Sequence, residues 1–214
     1  MTATKHETSQ HSSQEAIAET LKRLGAATVH EAQGKVGALS HEVKPLDASS
    51  RLAGRALTVL TRPGDNRALH LALLEANPGD VLVVDAFGWK EAGVWGDVLT
   101  AAAMHRELAG VVINGAVRDS NTVVGLGFPV FAKALSIKGT AKADKGVIGT
   151  EVTIDGVQIA TGDMIVGDRD GVVAVPQSTV DSVLEAAKTK EETEDGWVRQ
   201  IADGATTADL LGLH

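Results

Sequence analysis

From Ser13 onward the apolar positions follow helical spacing: Ile17, Leu21 and Leu24 recur every three or four residues, and Gly25 follows as a stop. Thr28 to Gln33 reads as a second short helix with Thr28 as its cap. The period then changes. Ala56 to Thr61 (ALTVLT), Asp80 to Asp85 (DVLVVD) and Gly110 to Val117 (GVVINGAV) are strand-like runs, and the stretches between them, Arg67 to Glu75 and Gly96 to Leu108, carry helical spacing. Strand, helix and strand in alternation predict βαβ units and a parallel sheet. Beyond Phe128 the runs shorten into VIGTEVTI, a turn at Asp155-Gly156, VQIA, DMIVGD and GVVAVP, a pattern that predicts antiparallel hairpins. Val180, Val183, Leu184 and Ala187 form one stripe that runs on into the polar KTKEETEDGWVRQ, as in a helix that leaves the core. The expected organisation is a disordered tail over residues 1–13, one α/β domain over 14–177 and a C-terminal helical arm over 178–214.

A chain of 214 residues with 43% apolar and 3% aromatic content suits a single domain with a core of Ala, Val and Leu. The net charge of −8, with no basic cluster, argues against nucleic acid or an anionic membrane surface as partner. An anionic substrate therefore has to meet a local positive site. The absence of cysteine excludes disulfides, zinc–thiolate sites and cysteine nucleophiles together. The polar start MTATKHETSQHSSQE has no apolar leader stretch, and no run of about 18 apolar residues follows, so the expected location is the cytoplasm.

The chemistry gathers between Gly79 and Asp119. If Asp80–Asp85 and Gly110–Val117 are neighbouring parallel strands joined by the helix that starts near Gly96, that helix start and Arg118-Asp119 share the carboxyl edge of the sheet. The first amides there, from Gly96 to Asp97, Val98 and Leu99, form a cradle suited to a carboxylate. Arg118 adds a permanently charged fork for a carboxylate or an enolate oxygen. Asp119 adds a hard oxygen of the kind Mg²⁺ or Mn²⁺ prefers, and Asp97 is placed to orient the guanidinium or a water. An Asp at a helix start is also a common cap, and Arg-Asp after a strand is a common surface turn. Spacing alone leaves both readings open.

The other candidates are weaker. The seven histidines form no HExxH or HxH pair, and GAVRDS and GLGFP lack nucleotide-loop patterns. Lys133, Lys138, Lys142 and Lys145 could include a Schiff-base lysine, but a solvated face shared with Asp144 is the simpler reading. RPGDN at 62–66 reads as a tight turn before a helix.

TVHEAQGKVGAL (28–39), RPGDN (62–66), NPGDVLVVDAFG (77–88), WGDVLTAAA (95–103), GVVINGAVRDS (110–120), GFPVFAK (127–133) and GDRDGVVAVP (167–176) together resemble the 4-hydroxy-4-methyl-2-oxoglutarate / 4-carboxy-4-hydroxy-2-oxoadipate aldolases. These share a superfamily with the regulator of ribonuclease E activity A. The likeness runs in order over roughly residues 20 to 176 and includes the family signature, here Asp97, twenty intervening residues, then Arg118-Asp119.

The resemblance implies a swivelling β/β/α sandwich with a mixed sheet, assembled as a homotrimer or homohexamer with sites at subunit interfaces. It implies catalytic roles for Asp97 and Arg118, and pyruvyl binding by Arg118 and the amides of Gly96, Asp97, Val98 and Leu99. Mg²⁺ or Mn²⁺ would be anchored by Asp119 and approached by a glutamate from a neighbouring subunit's C-terminal segment. Glu194 fits that glutamate best by distance, with Glu191 and Glu192 close by. The implied activity is metal-dependent cleavage of a 2-oxo acid to pyruvate, with oxaloacetate decarboxylation beside it. The alternative is a non-catalytic regulator of a ribonuclease on the same fold, whose members typically lack the complete Asp and Arg-Asp set. The end, TTADLLGLH, is shorter than in the well-known aldolases, which bears on recognition of the substrate's side chain.

Overall fold

The computed structural model describes the backbone of residues 3–213 and the side chains of residues 14–213. The tail expected at 1–13 falls on residues whose side chains lie outside that range, and residues 1, 2 and 214 lie outside it altogether. In chain order the elements are α1 (Ala3–Leu24), α2 (Ala26–Ala32), β1 (Lys44–Pro45), β2 (Leu52–Leu60), α3 (Arg67–Glu75), β3 (Asp80–Trp95), α4 (Asp97–His105), β4 (Gly110–Val117), α5 (Ser120–Leu126) and β5 (Val130–Leu135). There follow β6 (Val147–Ile148), β7 (Val152–Ile154), β8 (Val157–Ile159), β9 (Met164–Asp168), β10 (Gly171–Val175), a short 3₁₀ turn, α6 (Val180–Ala202) and α7 (Thr207–Leu211).

The main sheet is mixed, in the order β1-β5-β4-β3-β2-β9-β10, with β6 also pairing β2. The run β2, β3, β4 and β5 is parallel, as βαβ connections require, whereas β9 and β10 join antiparallel. The two ends of the sheet nearly meet: Ala38 bridges Val173 of β10, and Lys44 of β1 donates to the carbonyl of Asp170. Inside the curl lies an apolar core of Val81, Val83, Val112, Phe131 and Ile165, closed by Val152, Ile154 and Ile159 of the β7–β8 hairpin. Alternate residues of the same strands, Leu82, Val84, Val111 and Ile113, face outward under α3, α4 and α5. A third cluster joins α1, α2 and α6 to β9 and β10. Each fully buried Val or Leu contributes about 1.5–3 kcal/mol against exposure, so a sheet covered on both faces supplies a rigid platform.

Thr28 does not cap the second helix. The chain reverses earlier, at Gly25 (φ +86°), and the first amide of α2, that of Ala26, donates to Asp168 Oδ2 at 2.8 Å from the far end of β9. Lys133 does not lie on a solvated face. It projects from β5 with its side chain 6% exposed and pairs with Asp155 at 2.6 Å. The arm is as the apolar stripe implies: Val180, Val183, Leu184 and Ala187 are buried, and no residue of α6 beyond Ala187 is.

Candidate active site

Strand β3 ends at Trp95, Gly96 makes the junction and Asp97 opens α4, while β4 ends at Val117 and releases Arg118 and Asp119 alongside. The register pairs Trp95 with Val117, and the Arg118 amide donates to the Trp95 carbonyl at 2.9 Å. The convergence expected from topology is therefore present. A Cβ placed on Gly96 would overlap Asp119 Oδ2 and lie 3.2 Å from both Cγ and Nε of Arg118. Arg118 Nε stands 3.2 Å from Asp119 Oδ2, and the two side chains are 40% and 36% exposed. A pair so open to water contributes little to stability, which leaves both groups available to a ligand.

The capping alternative does not account for Asp119. It occupies the position before α5 with a left-handed backbone (φ +56°), which Asp tolerates better than most residues, yet its side chain makes no capping hydrogen bond. Asp97 is in the first turn of α4 rather than at its cap, and its Oδ1 accepts the Val98 amide at 2.7 Å. Leu99 is buried, whereas Val98 points outward, 71% exposed. Helix geometry leaves the amides of Gly96, Asp97, Val98 and Leu99 without backbone acceptors in α4; that of Val98 is engaged by Asp97 Oδ1, and Gly96 lies against Arg118.

A wider ring supports this edge. Asp65 of the RPGDN segment is buried and accepts the amides of Arg67 (2.9 Å), Ala143 (2.7 Å) and Asp144 (3.1 Å). Burial pushes its pKa upward, but those three amides and nearby Arg62 outweigh it and hold the carboxyl below its ordinary value. Asn66 Nδ2 donates to the Val94 carbonyl at 3.1 Å, and its own amide donates to the Ala141 carbonyl. RPGDN is thus more than a turn: it ties the segment holding Lys142 and Lys145 to the end of β3. Lys138 pairs with Glu91 across the same rim. The sequence signal for this clamp was two polar residues followed directly by an apolar helix, which looks like any turn.

A cleft of about 880 Å³ lies elsewhere, between α1 and the amino ends of β2 and β3. Its walls mix Arg51 and Arg55 with Glu19 and Glu107. At the carboxyl edge, by contrast, Arg118, Asp119 and the start of α4 converge.

Among the described residues no three His, Asp or Glu side chains gather as a metal cage. The donors at the site are the Asp119 carboxylate and, in the turn beside it, Asp97. One exposed carboxylate next to a glycine-made space fits a cation that keeps most of its waters, as Mg²⁺ does, and does not fit tetrahedral zinc. Glu194 is not part of this grouping within one chain. It pairs with Lys190 at 2.6 Å, and Lys190 also holds Glu31 of α2. Glu191 is engaged by Arg23.

A mixed, nearly closed sheet, with a guanidinium–carboxylate pair beside a helix start, defines a mixed α/β protein. The chain belongs to the Aldolase/RraA family: residues 25–174 match the RraA-like family model. A Halalkalibacterium halodurans protein, provisionally named a 4-hydroxy-4-methyl-2-oxoglutarate aldolase, is 38% identical over 165 residues, covering 77% of this chain and 79% of that protein. The crystal structure of an uncharacterized Pseudomonas syringae protein superposes with a TM-score of 0.80 at 27% identity, covering 92% of this chain and 96% of its own. Streptomyces coelicolor RraAS2, described as an unusual member of the RNase ES inhibitor RraA family, gives 0.76 at 30% identity over 86% of this chain and 98% of its own. The mixed α/β architecture thus has counterparts in solved structures of the RraA fold. Among the described residues no helix is long and apolar enough to cross a membrane.

Proposed function

We propose that this protein is a divalent-metal-dependent carbon–carbon lyase that cleaves 4-hydroxy-4-methyl-2-oxoglutarate, or a related 4-hydroxy-2-oxo acid, to pyruvate and a second oxo acid. Oxaloacetate decarboxylation is its expected second activity. The observation that carries this reading is the meeting of Gly96, Arg118 and Asp119 at the start of α4. The aldolase name of the Halalkalibacterium relative supports it.

In this reading the amides from Gly96 to Leu99 bind the substrate's 1-carboxylate and Arg118 binds its 2-oxo oxygen. A water held by Asp97 removes the proton of the C4 hydroxyl. As C4–O becomes a carbonyl, the C3–C4 bond breaks and its electron pair passes into the enolate of pyruvate, whose oxygen Arg118 stabilises. Proton return to C3 releases pyruvate; loss of CO₂ from oxaloacetate passes through the same enolate. Asp119 would hold Mg²⁺ or Mn²⁺, which would supply Lewis-acid stabilisation of the developing negative charge, an effect that lowers such barriers by several kcal/mol.

The reading includes a cytoplasmic homotrimer or homohexamer in which a neighbour's arm brings Glu194 to the site. Val98 and Ile137, 71% and 96% exposed beside it, support a covering partner. The test is pyruvate release from a panel of 2-oxo acids by protein stripped with EDTA and then given Mg²⁺ or Mn²⁺. Full activity in EDTA would refute the metal, and a stable adduct after borohydride with pyruvate would assign a lysine imine instead.

The likeness to the Streptomyces member of the RNase ES inhibitor RraA family favours a second reading, a ribonuclease regulator. It predicts that Arg118→Ala binds a ribonuclease as well as the unaltered protein does.

A further inference from the structure

Three consecutive carbonyls lead into α4, and each is taken by a different group. Val94 O accepts from Asn66 Nδ2 at 3.1 Å, and Trp95 O accepts from the Arg118 amide at 2.9 Å. Gly96 O accepts twice from Thr100, from its amide at 3.0 Å and its hydroxyl at 2.9 Å. The carbonyl of one residue and the N–H of the next lie in one rigid plane and point opposite ways. Holding a carbonyl therefore aims the following amide. The Arg118 backbone aims the Gly96 amide, and Thr100 aims the Asp97 amide.

Thr100 is fully buried, and so is Trp95, whose indole lies 6.4 Å from the Phe128 ring in a stacked arrangement. Trp95 Nε1 donates to Thr100 Oγ1 at 2.8 Å. A threonine hydroxyl has a single proton to give. With its acceptor side engaged by the indole, that proton goes to Gly96 O, and the rotor is fixed.

We propose that Thr100 is a positioning residue of the site: through the Trp95–Thr100–Gly96 chain it fixes the direction of the Asp97 amide and so preforms the cradle for the substrate's carboxylate. The inference rests on the aldolase reading, since it assigns the cradle to a 2-oxo acid. Pyruvate is the probe, titrated calorimetrically into the Mg²⁺-loaded protein and its variants. Thr100→Val keeps the shape but removes the hydroxyl, and it is expected to weaken pyruvate binding about tenfold, with KM raised more than kcat is lowered. Thr100→Ser restores the hydroxyl and is expected to bind within about threefold of the unaltered protein. Trp95→Phe, which frees the hydroxyl to rotate, is expected to shift affinity the same way and serves if Thr100→Val does not fold.

Unchanged affinity in Thr100→Val, or in Trp95→Phe where that variant stands in, overturns the proposal. Equal losses in the Val and Ser variants overturn it as well, because the methyl packing and not the hydroxyl would then matter. Failure of the unaltered protein to bind pyruvate with Mg²⁺ sinks the aldolase reading itself, and the role of Thr100 falls with it.

Discussion

Gly96 and Asp119, on different strand–helix junctions, are packed so closely that the glycine has no room for a side chain: a Cβ there would overlap Oδ2 of the aspartate. The Gly96 backbone is extended (φ −158°), so conformation is not what demands glycine. Space for the Asp119 carboxylate and the Arg118 side chain is.

Gly96→Ala follows directly. The obstructed atom is the end of a flexible side chain, so the protein is expected to fold with a melting temperature close to that of the parent. Asp119 and Arg118 have to move, and displacements of about 1 Å in such a site cost about a hundredfold in rate. Pyruvate release and a thermal melt on the same sample check both halves.

Asp119→Asn preserves size and suits the left-handed backbone, since Asn also accepts positive φ. The amide lacks the charge that holds a hard cation. Activity is expected to fall by about a hundredfold or more and to lose its response to added Mg²⁺, followed in a metal titration. Normal turnover in this variant would remove Asp119 from the site.

Asp65 links chemistry to stability. Its pKa is lower folded than unfolded, so its contribution is fully present above the unfolded value, about 3.9, and is lost as pH falls through the folded one. Asp65→Asn loses an acceptor oxygen for the Ala143 and Asp144 amides and is expected to cost about 1–3 kcal/mol at pH 7. Urea unfolding at pH 7 and at pH 3 should show that difference shrinking in acid.

Glu194 and Glu191 can be told apart. If a neighbour's Glu194 assists the cation, Glu194→Gln raises the apparent Mg²⁺ constant by about tenfold. Glu191, held by Arg23 in a solvent-exposed pair, is expected to tolerate Gln with no change in that constant. The reverse result would move the assignment to Glu191.

The convergence at Arg118 was legible because parallel βαβ topology forces a helix start and the end of the next strand onto one edge, whatever the details of packing. Helix α3 and strand β4 were legible from local periodicity and occupy the expected ranges. What stayed hidden depends on contacts distant in sequence. Asp168 caps α2 from 142 residues away, and the burial of Lys133 depends on Asp155 of a hairpin turn. The strand-like run read at Asp80 to Asp85 is only the first part of β3. The strand continues to Trp95 by pairing irregularly with β4. The Trp95–Thr100 bond was invisible for a similar reason, since neither residue type signals a support for a helix start.

That irregular pairing has an evolutionary consequence. Between the matched pairs Asp85↔Asn114 and Trp95↔Val117, β3 carries the whole of AFGWKEAGV against two residues of β4, with Phe87 and Gly88 turning at φ +56° and +66°. The surplus bulges off the ladder, so related proteins can lengthen, trim or redecorate this outcrop while the anchoring pairs keep Gly96 opposite Arg118. Diversity among relatives in what they recognise is therefore expected to concentrate in this outcrop.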